Sequence, residues 1–314
     1  MFDFVFDAAQ FGEFLATGLR LSMPLIFAAM GGLLCERAGV FNIALEGQLL
    51  LGAFGAALGA HLTGMAGGGV AVALVFGAAS GLGLALLGVT LRVNQIVVGI
   101  AVILFAIGFT SFMSRVAFEG GGNSLRLDGF RPIDIPILSD IPVIGPVLFA
   151  QDLLFYLMLA VVAAIQIVLF RTGLGLSIRA VGESPATADA AGVPVFTLRY
   201  GVIVAGSMIA SLGGAYIVLS QVFLFSDNMS AGKGFIGLAA IVLGRWNPVL
   251  ALLACLLFGL FDAFQLRLQF QSPDMPFQVF AALPYVISIM ALVGLIGRAQ
   301  PPAAVGRPYD REMR

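Results

Sequence analysis

Any chemistry in this chain must come from a few polar side chains set among long apolar runs. One group is Asn42, Glu46 and Gln48, at the mouth of an apolar stretch in Cys35-Glu-Arg-Ala-Gly-Val-Phe-Asn-Ile-Ala-Leu-Glu-Gly-Gln48. Asn42 and Glu46 are four apart, which on a helix puts them on one face. An ionisable group inside a membrane is costly and usually faces protein or water, so the trio reads as a gate or pathway element. The same residues suit an N-terminal cap for free N–H groups, and both readings stay open. Asp262 lies deep in another apolar run with Gln265 and Arg267 close by. Its side chain is too short to reach an interface, so it is a candidate for a pathway or helix-pairing role. Arg20 and Arg267 have long stems that can carry their charge outward.

Catalysis finds little support. No His-rich, Ser/Lys or paired-Asp arrangement falls within an apolar run. His61 ends such a run and suits an interface, and Cys35 and Cys255 lack metal-ligand or redox spacing and read as packing residues. Lys233 sits in Ala231-Gly-Lys-Gly234 with no Ser or Thr following, so there is no phosphate-binding loop. The expectation is a chain that is not an enzyme, with no metal and no cofactor of its own.

The longest polar interruption is Arg171 to Arg199, centred on Gly182-Glu-Ser-Pro-Ala-Thr-Ala-Asp-Ala-Ala-Gly-Val193. Ser184 can cap a helix start and Pro185 fits its first position. Gly192 can take a left-handed conformation at its end, and Pro194 blocks continuation. This predicts a two-turn helix at a membrane face, placed to touch a partner.

These elements must be held in lipid. The chain is 60% hydrophobic and 11% charged, against roughly 25% charged in a soluble domain. Its 40 glycines favour close helix contacts. Runs such as 70–91 are apolar on every face, unlike the alternation of a barrel strand. The fold class is therefore all-α, a polytopic transmembrane bundle. On the measure of ~20 residues per crossing, about nine runs qualify: 13–34, 43–62, 69–91, 95–113, 150–170, 199–220, 234–244, 248–267 and 277–297. The 234–244 run reaches only about half the hydrocarbon thickness and reads as a half-helix or broken crossing.

If all nine cross, Arg37, Arg92, Arg171, Arg179, Arg199, Arg245 and the arginines of the C-terminal tail share one side. That side is then cytoplasmic and the N-terminus outside. The first 13 residues carry no basic n-region and read as mature sequence. One membrane domain, 1–297, contains a Pro-punctuated extracytoplasmic loop at 114–149 and a cytoplasmic loop at 171–198. The tail, 298–314, reads as disordered.

Four stretches in order carry a resemblance: Glu36-Arg-Ala-Gly-Val-Phe-Asn-Ile-Ala-Leu-Glu-Gly-Gln48, Asn94-Gln-Ile-Val-Val-Gly99, Ile137-Leu-Ser-Asp-Ile-Pro-Val-Ile-Gly145 and Ala180 to Val193. Together they resemble the permease subunit of a bacterial ABC importer. The relevant group serves nucleosides, ribose and other simple sugars, and branched-chain amino acids, with the nucleoside branch nearest. The resemblance runs from about residue 20 to 297. It implies that Gly182, Glu183, Ser184, Pro185, Ala188, Asp189, Ala190, Ala191 and Gly192 form a coupling helix that docks on an ATPase subunit. Asp189 stands in a loop where a strict Glu-Ala-Ala is missing. Asn94 and Gln95 join Asn42, Glu46, Gln48 and Asp262 as pathway candidates. The implied partners are an ABC ATPase that holds ATP and Mg, a second permease subunit (a paralogue), an extracytoplasmic substrate-binding lipoprotein and membrane lipid, with no nucleic acid. The implied location is the bacterial inner membrane. The rival reading is an ion-coupled secondary transporter or channel, with Asp262, Glu46 and Arg20 carrying the coupling ion.

Overall fold

The computed structural model describes residues 8–118, 122, 126–134, 136, 139, 141, 143–271 and 300–310. The helices are α1 (Ala8–Arg37), α2 (Leu45–Thr63), α3 (Ala66–Ala85), α4 (Gln95–Ala117), α5 (Leu153–Arg171), α6 (Gly173–Glu183), α7 (Pro185–Ala190), α8 (Val195–Tyr216), α9 (Lys233–Leu243) and α10 (Pro248–Gln271). Widened π-type turns prolong α3 through Leu86–Thr90 and α8 through Ile217–Val222. Two short strands, β1 (Ile133–Asp134) and β2 (Ala150–Gln151), pair antiparallel in the connection between α4 and α5. Residues 126–130 of that connection lie along the end of α8, where Leu127 N–H donates to Phe223 O and Phe130 N–H to Leu219 O.

Local chemistry starts several helices. Asn94 accepts from the N–H groups of Ile96 and Val97 ahead of α4, Asp152 from Phe155 ahead of α5, and Thr172 from Gly175 ahead of α6. Each cap satisfies donors that have no partner within the helix. Asn94, one of the pathway candidates, is thereby the N-cap of α4.

Among the described residues six helices are long and apolar enough to cross a membrane: α1, α3, α4, α5, α8 and α10. They account for six of the nine runs expected from hydropathy. The 43–62 run forms α2, of 19 residues, which carries Glu46, Gln48 and His61 and is buried along most of its length. The 234–244 run forms α9, of only 11 residues, about 16 Å at ~1.5 Å per residue. The 277–297 run lies outside the described residues.

Burial separates centre from rim. The most apolar window of α1 is 89% buried and that of α8 78%, against 28% for α3 and α4 and 33% for α5 and α10. So α1, α2 and α8 form the core, while Val75, Leu104, Phe105 and Phe112 point outward into the space that lipid would fill. Glycine lets the core helices touch backbone to backbone. A Cβ on Gly206 of α8 would stand 2.5 Å from Gly31 O and 2.6 Å from Cys35 Sγ. Small residues at such crossings are what close packing in lipid requires.

The C-terminal segment contradicts its composition. Residues 300–310, read as part of a disordered tail, fold back on α6 and α7 and bury Ala304 and Tyr309. A backbone hydrogen bond from Ala304 N–H to Gly182 O and side-chain contacts of Tyr309 and Asp310 hold it there.

Candidate functional site

Two polar constructions dominate, one inside the core and one at the end of the bundle that carries α6 and α7. The inner one begins where α1 ends. Residues 38–44 are not helical; Gly39 turns with φ 79°, and Val40, Asn42 and Ala44 are buried. Asn42 therefore precedes α2, and the argument that it shares a helix face with Glu46 fails. Its Oδ1 accepts from Ala44 N–H at 3.2 Å and its Nδ2 donates to Gln48 Oε1 at 3.0 Å. Gln48 Nε2 donates to Ser207 Oγ on α8 at 2.9 Å, and Ser211 Oγ donates to Gln48 O at 3.2 Å. Gln95 Oε1 accepts from Phe41 N–H at 2.7 Å. These side chains are all buried and tie the turn at 38–44 to α4 and α8.

Glu46 points elsewhere. Its Oε1 accepts from Ser230 Oγ at 2.6 Å and Gly232 N–H at 2.8 Å, and its Oε2 accepts from Gly234 N–H at 2.7 Å. The carboxylate thus caps the start of α9, a helix distant in sequence, and no side-chain bond caps α2 itself. Glu46 stands in the first turn of α2, as its dipole role there expects, and its carboxylate also caps α9, a partner the sequence did not suggest. At the other end of α9, Glu36 accepts from Trp246 Nε1–H, and Arg37 Nε donates to Trp246 O at 2.7 Å. The sequence did not pair Glu36 with Trp246, because a Glu-Arg pair at the end of an apolar run is ordinary and its partner lies 210 residues away.

Asp262 is half-buried on α10 and makes no hydrogen bond among the described residues. Arg267, proposed as its neighbour, instead donates to Gln10 on α1, at 3.2 Å to the carbonyl and 3.1 Å to Oε1. Arg20 bonds Gln151 Oε1 at 3.3 Å and receives Gln221 Nε2–H on its own carbonyl at 2.6 Å. Together with Asp152, Tyr216, Phe130 and Phe223 these residues line a cavity of about 560 Å³ at the end of the bundle opposite α7. Gln151, Tyr216 and Gln221 were missed, since each is a single polar residue near the edge of an apolar run. Among the described residues no group of three or more His, Cys, Asp or Glu could hold a metal ion.

The outer construction is α7 and its caps. Ser184 is extended (φ −148°, ψ 92°) and accepts from Thr187 N–H, with Pro185 at the first helical position. At the other end Gly192 N–H donates to Asp189 O and Val193 N–H to Ala188 O, both at 3.0 Å, with Gly192 at φ 88°. This pair of bonds is the Schellman closure. Ala188 is buried against Val181, Val195 and Tyr309, while Ala186, Thr187, Ala190, Ala191 and Gly192 are exposed. At Gly182 the loop meets α1 so closely that an added Cβ would collide with Arg37 O. The site residues 182–192 therefore form one rigid, small-residue knob, seated on the ends of α1 and α8.

The chain resembles known transport proteins along nearly its whole length. The family profile for the branched-chain amino acid transport system permease component matches residues 14–296. The guanosine ABC transporter permease protein NupQ of Bacillus subtilis is 36% identical over 307 residues, covering 94% of this chain and 96% of the relative. The nucleoside ABC transporter permease protein NupC of Lactococcus lactis is 36% identical over 304 residues, with 94% and 95% covered. A putative glucose ABC transporter permease protein, TsgC13 of Haloferax volcanii, is 34% identical over 322 residues, with 94% and 96% covered. No solved structure matches the chain. A multi-pass apolar bundle that this profile spans from residue 14 to 296 belongs to the branched-chain amino acid transport system permease family, and the chain is a membrane-spanning subunit of an ABC transporter.

Proposed function

We propose that this chain carries nucleosides across the inner membrane as one half of an ABC importer, by alternating access driven from a separate ATPase. The observation that carries the reading is α7: a two-turn helix closed at both ends, with Ala186, Thr187, Ala190 and Ala191 outward and Ala188 locked inward. Small exposed side chains on a rigid knob fit a groove on a partner, and Gly182 against Arg37 O would pass a push on the knob into α1. ATP and Mg then belong to the partner chain. A second permease chain supplies the other knob, and an extracytoplasmic binding protein delivers substrate at the end with the Arg20 cavity. Two of the relatives named above are nucleoside or guanosine permeases, which supports nucleoside over glucose as cargo. The ion-coupled reading loses support because Glu46 is used by three donors as a helix cap.

The test reconstitutes this chain with its paralogue, ATPase and binding protein in liposomes and follows radiolabelled guanosine, uridine, glucose and leucine. ATP-dependent guanosine or uridine uptake is expected, insensitive to ionophores. Gly192→Val places a β-branched residue at φ 88°, a strain of about 1–2 kcal/mol. It is expected to leave membrane abundance intact and abolish uptake. Normal uptake by that variant, or uptake that persists without the ATPase, contradicts the reading.

A further inference from the structure

The C-terminal segment touches the knob at three points. Ala304 N–H donates to Gly182 O at 2.9 Å, Ala303 N–H to Glu183 Oε2 at 3.3 Å, and Tyr309 Oη–H to Asp189 Oδ2 at 3.0 Å. The same segment reaches two other elements. Tyr309 stacks obliquely on Phe196 at the start of α8, ring centroids 5.8 Å apart, and Asp310 pairs with Arg92 in the turn between α3 and α4. Apart from this segment, α7 packs mainly on α6 and α8. Pro302, Ala304 and Tyr309 are buried, whereas Ala303, Gly306, Arg307 and Pro308 face outward beside the exposed residues of α7.

We propose that residues 300–310 are a working part of the coupling apparatus: a strap, with Tyr309 as positioning residue, that sets the orientation of α7 and links it to the α3–α4 turn through Arg92. The proposal rests on the reading of α7 as the ATPase-contacting helix. The reasoning is geometric. A six-residue helix is held by one buried side chain, Ala188, and by the loop ends. The Tyr309–Asp189 bond, one residue further along α7, adds an off-axis point that resists rotation about Ala188 beyond what the capped ends supply. Asp310 on Arg92 gives the strap an anchor on a peripheral helix pair that α7 does not reach itself. A push on α7 is thereby delivered at two places, α1 through Gly182 and the α3–α4 turn through the strap. The outward residues of the strap extend the docking surface with the same small side chains and add the positive charge of Arg307.

The experiment uses the reconstituted complex with Tyr309→Phe, Asp189→Asn, their double variant, a chain ending at residue 299, and Gly192→Val as reference. It reads membrane abundance, ATPase co-purification and the ratio of hydrolysis with loaded binding protein to hydrolysis without it. Tyr309→Phe keeps the ring on Phe196 and removes only the hydroxyl. The expected result is normal abundance with the stimulation ratio reduced about tenfold, the worth of one hydrogen bond to a charged group. The double variant is expected to lose less than the sum of the two single losses, because the Tyr309–Asp189 bond is counted in both. Additive losses, or an unchanged ratio in Tyr309→Phe and in the truncated chain while Gly192→Val uncouples, overturn the strap and leave the coupling reading standing. Tighter ATPase retention or faster basal hydrolysis by the truncated chain also overturns it, since the segment would then be a cover that competes with the ATPase. If Gly192→Val is itself fully coupled, the reading of α7 falls and the strap with it.

Discussion

Glu46 on α2 and Gly234 on α9 are joined through the carboxylate: Oε2 lies 2.7 Å from the Gly234 amide nitrogen, while Oε1 takes Ser230 and Gly232. A helix of 11 residues inside lipid has few other means of satisfying its first N–H groups. Glu46 thus fixes where α9 begins.

Replacing it tests that role. Glu46→Gln retains one oxygen and turns the other into a donor that faces an N–H or hydroxyl, so at least one contact is lost. A cost of about 1–3 kcal/mol is expected, seen as a lower melting temperature of the purified protein in detergent. Uptake per folded molecule is expected to remain within a factor of about two, the residue being a brace rather than a carrier of cargo. Loss of transport with unchanged melting would return Glu46 to the pathway.

The Gln48–Ser207 bond is buried between α2 and α8. Polar pairs between membrane helices average about 0.6 kcal/mol in double-mutant cycles. Gln48→Leu, Ser207→Ala and the double variant are expected to give a coupling of that order. Gln48→Leu alone is expected to cost more than Ser207→Ala, because it also removes the oxygen acceptor of Asn42 Nδ2 and leaves it only the Cys35 sulfur. Detergent unfolding curves for the four proteins measure both quantities.

Gly206→Ala addresses the backbone contact of α8 with α1. Its methyl would sit 2.5 Å from Gly31 O, and neither backbone can yield without moving a helix. We expect a loss of about 1–3 kcal/mol or more and a sharp drop in membrane yield. Gly201→Ala, on the same helix with open space around it, is expected to be neutral or slightly stabilising.

If all nine runs cross, the arginines set the sidedness. A reporter fused after Arg314 is expected to be active only in the cytoplasm, and one at the N-terminus only outside. The reverse pattern would place α7 and the strap out of reach of any ATPase.

Legibility in the sequence followed range. The caps of α7 could be read because Ser184, Pro185 and Gly192 act within six residues of what they satisfy. The shortness of α9 was equally local. Glu46 was recognised as polar and buried, yet its partners lie 184 to 188 residues away, and nothing nearby announces them. Asn42 misled for the opposite reason: helical spacing was applied to a segment that Gly39 turns out of a helix. The strap escaped notice because its composition, Pro, Ala and Gly with scattered charges, is that of a loose tail. Its hold comes from two main-chain N–H groups and from Tyr309 and Asp310, whose partners lie more than 100 residues away.

The meeting of α2 and α9 at Glu46 has an electrical consequence. Each helix start carries the equivalent of about half a positive charge, so two starts amount to about one. Glu46 lies in the first turn of α2 and caps α9, and its single negative charge balances both. The positive end of a broken helix, which would otherwise be an anion site, is thus taken by a carboxylate of the same chain. A free anion therefore finds the start of α9 already occupied.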